Sequence, residues 1–127
     1  MRYLHPTFQE ATLRRGKSIE QFLGGVAIDG QRHVVWLELR PRAIGVEIWR
    51  FIVPDLGDTE RIELYEFGGE ENEALVATLA TPTDALAFAS AQAGAAPDRW
   101  ANQFVIQDDY RDYILGGRSL RCSAPGI

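Results

Sequence analysis

Cysteine occurs once in this chain (Cys122), histidine twice (His5 and His33) and lysine once (Lys17). A lone cysteine forms no intrachain disulfide, so a reducing compartment, the cytoplasm, is the expectation. The few His and Cys residues make no Cys-x-x-Cys, paired-His or His-Glu-x-x-His spacing, and no zinc site of those kinds is expected. None of the serines sits in a Gly-x-Ser-x-Gly elbow. The glycine pairs at 24–25, 68–69 and 116–117 lack the order of a phosphate-binding loop. Gly16-Lys17-Ser18 resembles the end of such a loop, but position 11, where it needs glycine, is Ala11. No stretch approaches the roughly 18 apolar residues of a membrane span, and Met1–Pro6 has no apolar core of signal-peptide length. These absences point away from an enzyme, a cofactor, a resident metal and a membrane protein.

What the chain has in abundance is arginine, alanine and acid. Twelve arginines against one lysine, with plentiful alanine, suggest a GC-rich bacterial genome. Residues 1–50 carry a net +3 and residues 51–127 a net −8, so the overall −5 conceals two unlike halves. Between Asp55 and Glu73 eight acids face only Arg61. A one-sided field of this kind attracts basic partners and repels polyanions, which argues against nucleic acid as a ligand. Tyrosines are interleaved with the acids. Glu63 and Glu66 flank Tyr65, with Glu70 and Glu71 just beyond; Asp108, Asp109 and Asp112 surround Tyr110. Carboxylates steer an encounter and tyrosines supply contact area, so these nine residues are the candidate partner-binding set. The alternative is a solvated charged face that keeps the protein soluble.

A chain of 127 residues fits one domain, residues 1–127, able to bury about two-thirds of its unfolded surface without a disulfide or metal. Period-two alternation dominates its first two-thirds. Ile19–Ile28 reads as a strand with a bulge at Gly24-Gly25, closed by the hairpin dipeptide Asp29-Gly30. Val34–Leu39 and Ile44–Val53 read as strands joined at Pro41-Arg42, and Arg61–Phe67 as another. Ala74–Ala80 fits a strand or a helix. Thr81-Pro82-Thr83-Asp84 places a cap, a first-position proline and a first-turn acid ahead of a helix over Ala85–Ala93. Asn102–Gln107 reads as a short strand and Asp108–Leu115 as a helix, with a shorter helix over Thr7–Arg15. Residues 118–127 read as a flexible tail. The fold class expected is α+β: a mostly antiparallel sheet of four to six strands, ordered as a meander, with one or two helices on one face.

Two further groupings bear on chemistry. Glu38 and Glu47 interrupt apolar strands and are read either as a carboxylate pair or as surface acids matched by Arg40, Arg42 or Arg50. A curved sheet and a C-terminal helix can also enclose a pocket walled by Trp36, Trp49, Phe51 and Phe88, with Glu38, Glu47, Arg50 and His33 projecting into it. Such a pocket implies a small-ligand-binding or enzymatic domain.

In overall character, a compact acidic α+β domain with acid–tyrosine clusters and no catalytic motif, the chain resembles bacterial immunity proteins of polymorphic and contact-dependent growth-inhibition toxin systems. The resemblance implies a non-enzymatic inhibitor whose partner is a basic toxin, often a nuclease, neutralised by direct complex formation. Acidic side chains then stand where nucleic-acid phosphates would.

Overall fold

The computed structural model describes residues 2–120. It is an α+β fold with a five-stranded antiparallel sheet. The strands are β1 (Ile19–Ile28), β2 (Gln31–Pro41), β3 (Val46–Pro54), β4 (Glu73–Leu79) and β5 (Ala101–Asn102), ordered β4-β3-β2-β1-β5. The first four form the expected meander. Asp29 and Gly30 both take positive φ, 52° and 78°, as a two-residue hairpin turn between right-twisted strands requires. The β1 irregularity falls between Phe22 and Gly24, slightly ahead of the glycine pair.

Three helices accompany the sheet: α1 (Pro6–Arg14), α2 (Pro82–Gln92) and α3 (Ile106–Leu115). They lie on both faces rather than one. Leu37, Leu39, Val46 and Ile48 pack with Leu13 of α1, Ala85 and Ala89 of α2, and Trp100. Val34, Trp36 and Val53 point the other way, toward Ile106 and Tyr110 of α3 and toward Leu64 and Phe67. The cause is in β2, where Val34, Val35, Trp36 and Leu37 are all buried. A strand apolar on both faces needs cover on both. Trp100 is fully buried, removing on the order of 200 Å² from water, worth about 5 kcal/mol before entropy.

α2 is specified by its cap: Thr81 Oγ1 accepts from Asp84 N at 3.1 Å, and Pro82 opens the first turn. Residues 61–67, expected as a strand, instead pass into a 3₁₀ turn at Leu64–Glu66. Leu64 and Phe67 are buried while Glu63 and Glu66 are exposed, a spacing of three that suits a 3₁₀ turn and not a strand. A second turn, Glu70–Asn72, leads into β4. The strand expected over Asn102–Gln107 stops at Asn102, because Phe104 takes φ 77° and α3 begins at Ile106.

The two sheet edges differ. Beyond β5, Tyr3 bridges Ala101 and Leu4 N donates to Trp100 O at 2.7 Å, covering the short β5 end of that side. The outer side of β4 pairs with no strand among the described residues. Part of the expected tail is anchored: Arg118 donates to Asp55 Oδ1 at 2.6 Å and to Gly57 O at 2.7 Å, and Leu120 bridges Gly25. The rest of it, residues 121–127 with Cys122, lies outside the described residues. No helix among the described residues is long and apolar enough to cross a membrane.

Candidate functional site

On the α3 face, the helix and the 3₁₀ turn cover the β1 side of the sheet, and a cavity of about 360 Å³ opens beside them. Its floor is sheet: Glu20 of β1, Trp36, Glu38 and Arg40 of β2, and Phe51 of β3. Tyr65, Glu70, Asn72 and Glu73 form one side and Gln103 another. Period two explains the floor, since Trp36, Glu38 and Arg40 alternate with the inward Leu37 and Leu39. Antiparallel register sets Glu20 opposite Glu38 and Trp36 opposite Phe51.

The two floor carboxylates are held differently. Glu38 is bound by Arg40, Nε to Oε2 at 3.0 Å and Nη2 to Oε1 at 2.9 Å, and Ser18 Oγ donates to Oε2 at 2.8 Å. Arg40 also lies over the Trp49 ring, 4.7 Å from its centroid. Glu20 is 1% exposed and has no ion-pair partner among the described residues. Its Oε1 accepts from Tyr65 Oη at 2.5 Å and from the Phe104 amide at 2.9 Å. Burial pushes its carboxyl up to about 7, opposed by those two hydrogen bonds and reinforced by the charge of Glu38. Burial and the neighbouring Glu20 likewise raise the Tyr65 hydroxyl.

Aromatic rings complete the walls. Trp36 and Phe51 stack at 4.9 Å with 8° between planes, and Tyr65 meets Trp36 and Phe104 edge-on. The Trp36 indole N–H is buried without an acceptor, unlike every other buried side-chain polar atom among the described residues. With acids at Glu20, Glu38, Glu70 and Glu73 against Arg40, the cavity favours a cationic group.

The expected partner-binding residues separate into two sets. Glu63, Glu66, Glu70 and Glu71 are exposed, with half-buried Tyr65 inward of them at the cavity. Glu63, Glu66 and Glu70 have no ion-pair partner among the described residues. Three of the four residues of the α3 set are used by the fold. Tyr110 is fully buried and donates to Asp55 while accepting from Gly57 N at 2.9 Å. Asp109 is 7% exposed and accepts from Tyr3 and Arg2. Arg2 also reaches exposed Asp112 at 2.6 Å, and Asp108 is exposed. A basic residue from the first half of the chain thus neutralises acids of the second.

Of the pocket envisaged from sequence, Trp36, Phe51 and Glu38 line the cavity. Phe88 packs on the opposite face of the sheet. Glu47 accepts from Trp49 Nε1 and from Arg42 Nε, at 3.0 and 2.9 Å, which lowers its pKa, so Glu38 and Glu47 are matched by separate arginines. Arg50 and His33 are not on its wall. The residue missed was Glu20, whose signal was an acid beside Ile19 inside a strand that is otherwise apolar or uncharged. Among the described residues no group of three or more His, Cys, Asp and Glu side chains is arranged to hold a metal ion.

No family model matches the chain, and no curated protein and no solved structure is significantly similar to it.

Proposed function

We propose that this protein is a non-enzymatic binding protein for a basic protein partner, in the manner of a toxin-neutralising immunity protein of a bacterial cytoplasm. The observation that carries the reading is the contrast between its two acid–tyrosine groups. Of the α3 acids, Asp109 and Asp112 are shared with Arg2 and Asp108 alone is exposed without an ion pair, whereas Glu63, Glu66 and Glu70 stand together, exposed and without an ion-pair partner among the described residues, beside an aromatic cavity. Unneutralised carboxylates grouped at a concave aromatic site favour association with Lys- and Arg-rich surfaces, chiefly through the on-rate.

The test is kinetic, on the basic protein encoded next to this one. Glu66→Lys together with Glu70→Lys slows association by about tenfold or more at low salt, and the deficit shrinks as salt screens the charges. An on-rate indifferent to both substitutions at every salt concentration removes the electrostatic reading. A second reading, a site for a small cationic ligand, is favoured by the cavity itself, whose volume falls in the range of small-molecule sites.

A further inference from the structure

The cavity carries more information than a preference for positive charge. Glu38 is already satisfied by Arg40 and Ser18, so an incoming cation meets Glu20, which is held by neutral donors alone. Both of those donors fall on Oε1. Among the described residues that line the cavity with Glu20, the charged and titratable groups are Glu38 and Arg40 on β2, Tyr65 in the 3₁₀ turn, and Glu70 and Glu73 on the far side. Gln103 and the Phe104 amide approach from the segment after β5. Arg40 is the one cation among them, and Glu38 already holds it.

The fold itself shows which cation this surface suits. Arg40 sits with its guanidinium edge on a carboxylate and its face over an indole. A planar, weakly hydrated guanidinium makes both contacts at once, and a compact ammonium does not. Trp36, which lines the same cavity, carries a buried indole N–H without an acceptor among the described residues, an unsatisfied donor beside the site.

We propose, building on the basic-partner reading, that the cavity takes one arginine residue of that partner, its guanidinium pairing with Glu20 as the Glu20 proton leaves for solvent. One cation enters and one proton departs, so charge in the cavity is conserved. The coupling makes binding tighten as pH rises and level off once Glu20 is ionised without help. Since that carboxyl is pushed up to about 7, the change falls in the neutral range.

The experiment is calorimetric titration of the full chain with N-acetyl-arginine amide and, in parallel, N-acetyl-lysine amide. Each is run at about pH 6 and about pH 8, in two buffers of different ionisation enthalpy. The arginine probe is expected to bind about tenfold more tightly at the higher pH and to release close to one proton at the lower, with lysine clearly weaker. Glu20→Gln abolishes the pH dependence. The proton count needs no variant, so a misfolded substitution does not blunt the test. Equal affinity at both pH values without proton release, lysine binding as tightly as arginine, or no uptake of either probe overturns the proposal. The two readings fail separately. Arginine uptake with proton release but no basic protein partner leaves the site and removes the partner. A partner that associates with no arginine uptake removes the site and leaves the partner.

Discussion

Glu20 and Glu38 stand opposite each other on adjacent antiparallel strands, yet one is held by an arginine and a serine and the other only by neutral donors, a tyrosine hydroxyl and a backbone amide. The asymmetry follows from where the chain places its cations. Arg40 is two residues along from Glu38 on the same face of β2, while Glu20 is overlain by Tyr65 and Phe104.

A consequence for stability can be measured. A carboxyl raised from 4.5 to about 7 in the folded state favours folding most below its unfolded value and loses that contribution as pH rises through about 7. The loss is of order 3 kcal/mol for a shift of this size. Urea denaturation of the native protein and of Glu20→Gln from pH about 4 to about 9 isolates it. The variant gains relative to the native chain with increasing pH, most steeply between 4.5 and about 7. A stability difference flat across that interval contradicts the assignment.

Asp55 is the polar centre of the opposite end of this face. Its side chain is fully buried and accepts from Tyr110, Tyr113 and Arg118. Asp55→Ala strands these donors together and costs about 3 kcal/mol or more in denaturant unfolding. Arg118→Ala removes one partly exposed partner and costs clearly less.

Gly25 has no room for a side chain, since a Cβ there overlaps the Tyr113 hydroxyl. Gly25→Ala is expected to destabilise by about 1–3 kcal/mol through overpacking, and Tyr113→Phe in the same background restores part of the loss. If Gly25→Ala unfolds at the native midpoint, the packing of α3 on β1 is looser than described.

Thr81→Ala deletes the oxygen that accepts from Asp84 N and lowers stability by about 1 kcal/mol, whereas Thr81→Ser, keeping that oxygen, changes little. Equal losses for the two variants would mean that the threonine methyl, not the cap, matters.

What was legible in the sequence is what local pattern controls. Alternation located β2 and β3, Asp29-Gly30 marked their neighbouring hairpin, and the Thr81–Asp84 signature marked α2. Residues 61–67 misled because Ile62 and Leu64 alternate with Arg61, Glu63 and Tyr65. Burial of Phe67 three positions after Leu64 turns the chain instead. Phe104 shows the other limit. Its positive φ accompanies an amide donating to Glu20, 84 positions earlier in the chain, a contact no local window contains. The cavity shares that origin, since its walls come from five separate stretches of sequence. Helices on both faces were foreshadowed by the unbroken apolar run Val34–Leu37, which alternation alone conceals.

The unequal edges of the sheet bear on polymer growth. The outer side of β4 pairs with no strand among the described residues, whereas at the other end β5 pairs with Ile19 and Glu20 and is itself overlain by Tyr3 and Leu4. Strand-to-strand addition of a second molecule is therefore expected to begin at β4, and removing Tyr3 and Leu4 is expected to bare a second point of addition, two being the minimum needed for a fibre.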